Sequence, residues 1–124
     1  MSYVAGIVAA VPEGAREAFV AHAREAWDAI FRPLGATRQV ECWGDRVPGG
    51  EVTSFPMAVK AGAEEVVVFS WIEWPDRETY DAARAQMEGP GAELAEAMER
   101  MGEMPFDGKR MIFGGFTPIF DERG

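Results

Sequence analysis

From Tyr3 to Val11 both alternating sets of positions are apolar: Tyr3, Ala5, Ile7 and Ala9 on one side, Val4, Gly6, Val8 and Ala10 on the other. A strand with two apolar sides has both faces covered, which predicts a central place in a sheet. Pro12-Glu13-Gly14 stops it. Between Ala15 and Leu34 the apolar residues Phe19, Ala23, Ala26, Trp27, Ile30, Phe31 and Leu34 recur at helical spacing. Arg16, Glu17, Arg24, Glu25, Asp28 and Arg32 take the opposite side, so an amphipathic helix is predicted, with Gly35 as its C-terminal cap. Ala36 to Gly44 predicts a second strand, and Asp45 to Gly50 a turn-rich loop. Thr53-Ser54 ahead of Phe55-Pro56 has the form of a helix start, for a short helix to about Lys60. Glu65 to Trp74, β-branched and aromatic, is the clearest strand. Asp76 can cap the helix that follows from Arg77 to Met101, broken at Gly89-Pro90-Gly91 where proline cannot sit inside a helix. Arg110 to Phe120 predicts the last strand.

The order βαββαβ is the split arrangement of ferredoxin-like α+β domains, here one domain over residues 1–124. It predicts a four-stranded antiparallel sheet with both long helices on one face. The strands around Ile7, Phe69, Trp71 and Phe113 are apolar on both sets, so a lone chain would leave a large apolar patch in water. Two copies packed sheet to sheet, with C₂ symmetry, remove it, and a homodimer is expected.

Composition narrows the functional classes. The formal charge of -9 over 124 residues repels phosphate backbones and anionic lipid, so neither nucleic acid nor membrane is an expected partner. No apolar run approaches the ~20 residues of a membrane span. The first residues read as a strand rather than a signal peptide. The single cysteine, Cys42, allows no intrachain disulfide and fits a cytoplasmic setting. One histidine with one cysteine makes no standard zinc cluster, and no nucleotide-binding glycine motif occurs; neither metal nor cofactor is expected.

Chemistry concentrates in a few places. The block Met104 to Phe116, MPFDGKRMIFGGF, joins a turn, a cationic pair and two glycines inside an apolar run. Glycine there gives up packing unless something approaches the backbone closely. Glu41, Trp43, Asp45, Trp71, Asp107, Lys109 and Arg110 are the candidates for a ligand pocket, the aromatics as walls and the charged groups as its polar points. The competing role for the charged set is a salt-bridge network tying two polar loops together. His22, at the edge of the first helix's apolar stripe, is the candidate general base; a boundary histidine covering the core is the simpler role. A Cys42–His22 nucleophilic pair would need the helix to pack over the second strand. Met87, Met98, Met101, Met104 and Met111 serve either as core gap-fillers or as an adaptable ligand lining.

Glu41-Cys42-Trp43-Gly44-Asp45, Thr53 with Phe55, Ala58-Val59-Lys60-Ala61, Val67-Phe69-Ser70-Trp71-Ile72 and the closing MPFDGKRMIFGGF resemble an uncharacterised bacterial family, the YbaA-like proteins. The likeness spans nearly the whole chain, and departs from it over Glu88 to Glu103. It implies the dimeric α+β barrel superfamily, whose members include quinol monooxygenases, haem-degrading monooxygenases and chlorite dismutase-like proteins. Haem degraders of that group use a histidine on the second helix, and related oxygenases an asparagine on the first strand. This chain has no histidine after His22 and no asparagine at all, which removes both. Three functions follow as expectations: binding of a small apolar or aromatic metabolite; a cofactor-independent monooxygenase acting on a quinol-like substrate; or a structural or protein-interaction dimer without a ligand.

Overall fold

A computed structural model describes residues 2–124. Four strands, β1 (Tyr3–Pro12), β2 (Arg38–Trp43), β3 (Glu65–Trp74) and β4 (Ile112–Phe116), form one antiparallel sheet in the order β2-β3-β1-β4. The two doubly apolar strands, β1 and β3, are the central pair. Four helices complete the fold: α1 (Arg16–Ala26), α2 (Phe55–Ala58), α3 (Arg77–Glu88) and α4 (Ala92–Met101). This is the ferredoxin-like order.

The strands sort the side chains by parity. Ala5, Ala9 and Val11 of β1 and Val68, Ile72 and Trp74 of β3 face the long helices and are buried. On this inner face Trp74 and Tyr80 meet edge to face with ring centroids 5.8 Å apart, and Ala83 of α3 is buried in the same cluster. The outer face carries Val4, Val8, Phe69, Trp71, Ile112 and Phe116. One corner of it is covered by α2 and the residues after it, where Val59 packs on Ala10 and Val67. Phe55 meets Phe69 edge-on at 5.9 Å. The rest is open, with Phe69 45% and Phe116 61% exposed.

Local chemistry explains the element ends. Asp76 accepts a hydrogen bond from the backbone N–H of Thr79 at 2.7 Å, and Ser54 accepts one from Met57 at 3.1 Å; each is an N-cap satisfying an otherwise unpaired helix donor. Gly35 adopts φ +110°, where a Cβ would also run into Thr79. Gly89-Pro90-Gly91 divides α3 from α4 as the sequence predicts.

Two predicted elements differ. The first helix does not continue as an α-helix to Leu34. After Ala26 it opens into a π-helical turn over Trp27–Phe31, in which the Arg32 N–H donates to the carbonyl of Trp27 at 3.0 Å. Pro33 accounts for this: it lacks the N–H that an α-helix needs there, and its ring clashes with the carbonyl four residues earlier. The last strand is Ile112–Phe116 rather than Arg110 to Phe120. Phe116 already lies opposite Val4, so β1 has almost no chain left to pair beyond it, and Pro118 has no donor to offer. The glycines in β4 accommodate a neighbouring ring: a Cβ on Gly115 would collide with Tyr3.

Candidate functional site

The helices do not close fully on the sheet. A cavity of about 430 Å³ lies between them. Its floor is the inner face of the sheet: Ala5, Ile7 and Ala9 from β1, Gln39 and Glu41 from β2, Ser70, Ile72 and Trp74 from β3, and Phe113 from β4. One wall is α1 and the π turn, through Phe19, His22, Ala23, Ala26, Ile30 and Phe31. Shifting the helix register at Trp27–Phe31 lets Ala26, Ile30 and Phe31 all reach this wall, a use π turns often have at functional sites. The opposite wall is Tyr80, Arg84 and Met87 of α3 with Met98 and Met101 of α4, and the following loop adds Met104, Phe106 and Met111. Small alanines on the floor leave the space; large side chains around it form the rim.

A polar strip crosses the otherwise carbon-lined floor. Glu41 lies opposite Ser70 in the β2–β3 ladder. The Ser70 hydroxyl, 2% exposed as a residue, donates to Glu41 Oε1 at 2.6 Å. Gln39 Nε2 donates to Glu41 Oε2 at 3.0 Å and to the Ala23 carbonyl at 3.4 Å. Gln39 Oε1 and Trp74 Nε1 are buried without a protein partner. At the rim the Arg84 guanidinium lies over the Phe113 ring, 5.0 Å from its centroid, and pairs with Glu88 at 3.0 Å.

Of the residues singled out from the sequence, Glu41 and His22 line this cavity, as do all five methionines from Met87 onward. The remaining candidates lie elsewhere. Trp43 packs on Phe19 at the end of the inner face, with Arg16 over its ring at 5.7 Å. Asp45 is exposed in the loop after β2. Trp71 is on the outer face, donating to Glu73 at 2.9 Å beneath the Arg38 guanidinium. Cys42, opposite Phe69, also faces outward, so the sheet separates it from His22 and no Cys–His pair forms. Ser70, Gln39, Tyr80 and Arg84 were not foreseen. The signal for Ser70 was available, since it is the one polar residue within the apolar run from Val66 to Ile72.

Asp107, Lys109 and Arg110 belong to an ionic cluster at the end of the sheet. Arg110 donates from both terminal nitrogens to the two oxygens of Glu65 at 2.7 Å, from Nε to Asp107 at 3.1 Å, and from one nitrogen to the Lys60 carbonyl at 2.8 Å. The Lys109 backbone N–H donates to Asp107 at 3.0 Å. Lys60 holds a positive φ of 52°, which turns the chain into this contact. The bidentate bond from Arg110, together with the Gly62 N–H, lowers the Glu65 carboxyl from an ordinary 4.5 to about 2. A folded-state pKa below the unfolded one contributes stability that is complete above about 4.5 and lost as the pH falls toward 2. Glu65→Gln should therefore melt below wild type at neutral pH, and its melting temperature should fall less between about pH 5 and about pH 2.5. Parallel melting curves for the two proteins across that range would show that the pair contributes nothing.

Among the described residues no three of His, Cys, Asp and Glu converge as a metal site, and no helix is long and apolar enough to cross a membrane. An α+β chain with a pocket between sheet and helices is a scaffold shared by many activities. Residues 2–108 match the family described as "Protein of unknown function (DUF1428)", and the chain belongs to that family. It is 50% identical over 123 residues to the "Uncharacterized protein YbaA" of Escherichia coli strain K12, covering 98% of this chain and all of the relative. The protein of the same description from Shigella flexneri has the same identity and coverage.

Proposed function

We propose that this protein binds a small, largely apolar molecule between its helices and its sheet. One observation carries the reading: a cavity of about 430 Å³ walled by aromatic, aliphatic and methionine side chains, with a single polar strip on its floor. Protein interiors are normally packed without voids of that size. Its volume lies within the range of small-molecule pockets. Unbranched, polarizable methionines suit a wall that adapts to what it holds. His22 and Glu41 are the two groups on that wall able to accept a proton, so they are the residues an oxygenase working without a cofactor would use.

Binding is tested by titrating naphthalene into the protein and following tryptophan fluorescence. Saturation at one molecule per chain is expected. Ala23→Trp, which projects an indole from α1 into the cavity, should weaken that binding about tenfold or more. Unchanged affinity in the variant would move the binding elsewhere, and no binding to wild type would remove the reading.

The reading includes a homodimer joined through the outer sheet face. The chain's accessible surface is 8452 Å². A compact monomer of this mass has roughly 6,600 Å². The loop after β2 and the extended C-terminal residues account for part of the excess, apolar Val52, Ile119 and Phe120 included, and the outer sheet face adds an apolar patch centred on Phe69 and Ile112 and continued at the edge by Phe116. A second copy of the same face is self-complementary under two-fold symmetry. That leaves the cavity on the far side of each sheet, clear of the interface.

A further inference from the structure

The polar strip fixes which hydrogen-bonding group a ligand must bring. It comprises Ser70, Glu41 and Gln39, and every proton on it is spent internally. The one hydroxyl proton of Ser70 goes to Glu41. Both amide protons of Gln39 are used, on Glu41 and on the Ala23 carbonyl. What is left over is acceptor capacity. Gln39 Oε1 is buried without a partner, because orienting the amide nitrogen toward Glu41 leaves the oxygen facing no donor. Glu41 keeps further lone pairs on both carboxylate oxygens, and no Arg, Lys or His is paired with it among the described residues. A carboxylate with two donors fixing its orientation, set in a largely carbon-lined cavity, is an acceptor aimed by its neighbours.

Resting on the binding function proposed above, we infer that the ligand is a neutral hydroxyl compound, an alcohol or phenol on an apolar ring body, whose O–H donates to Glu41. A carboxylate ligand would bring more acceptors beside Glu41, and the Arg84 guanidinium at the rim is already paired with Glu88. A ketone or ether offers the strip nothing it lacks and could accept only from the Trp74 indole N–H, the buried donor left without a partner among the described residues. A protonated amine brings a full charge and three N–H bonds into a cavity that already holds the Arg84 guanidinium at its rim. A hydroxyl brings one donor for one acceptor and adds no charge to the cavity.

The test is calorimetric titration of the wild-type protein at neutral pH with naphthalene, 2-naphthol, 2-naphthoate and 2-naphthylmethylamine, four probes sharing one apolar body. A hydrogen bond to a charged acceptor predicts 2-naphthol binding about ten- to a hundredfold tighter than naphthalene. The naphthoate and the amine should both bind more weakly than the naphthol. In Glu41→Gln the ratio of naphthol to naphthalene affinity should shrink to a few-fold whatever happens to naphthalene itself, a change that a general loss of packing, acting on both probes alike, would not produce. Equal binding of naphthalene and naphthol to wild type, or tighter binding of the amine or naphthoate, overturns the hydroxyl assignment and leaves the cavity as an apolar site. Failure of all four probes to bind overturns the cavity reading itself. The wild-type series decides the matter even where the variant does not fold.

Discussion

Trp74→Ala is expected to lower the folding free energy by about 3–5 kcal/mol in a denaturant titration, whereas Trp74→Phe should cost far less. Trp74 is 1% exposed, and its ring fills the space between Ile72, Tyr80 and Ala83 where α3 meets the sheet. Truncation to alanine removes those contacts and leaves a hole beside an existing cavity, so the surroundings have little reason to collapse. The full penalty should appear. Phenylalanine keeps most of the ring and deletes an N–H that is buried without a partner. Because an unsatisfied buried donor is itself a cost, losing it offsets part of the lost volume. A Trp74→Phe protein as unstable as Trp74→Ala would show that the indole nitrogen has a partner that matters.

For the dimer proposed above, Phe69→Glu is expected to raise the dissociation constant about a hundredfold or more, read by sedimentation, with the variant remaining folded as a monomer. Phe69 stands on central strand β3 and points away from the helices, so the core does not depend on it. A carboxylate within the proposed apolar interface would lose its hydration without gaining a partner. The corresponding change on the inner face would unfold the chain instead. A variant that stays dimeric at micromolar concentration would show that the outer sheet face is not where two copies meet.

The sheet was legible because its signals are local. Doubly apolar β1 and β3 are central, Asp76 caps α3, and Gly89-Pro90-Gly91 divides the helical segment, each from a rule acting within a few residues. Pro33 is the local signal for the π turn, but the apolar periodicity runs past it to Leu34 and masks it. The site was less legible because it depends on register between strands. Glu41 meets Ser70 only because of how β2 pairs with β3, and the separation of 29 residues hides it in the linear chain. Parity would have taken the aromatics further. Trp71 is the neighbour of Ser70 on one strand and therefore faces the opposite side, away from Glu41 and the cavity. The charged candidates divided for a different reason. Arg110 found two carboxylates within reach at the sheet end, and such a pair stays on a solvated rim rather than entering an apolar cavity.

Native mass spectrometry of the protein isolated from its own host tests the central claim most directly, since it weighs assembly and contents together. Two chains carrying one small hydroxylated molecule each, and losing it on Ala23→Trp, is the predicted spectrum. A single chain, or a pair that gives the bare polypeptide mass with nothing retained and takes up none of the four naphthalene probes afterwards, would contradict it.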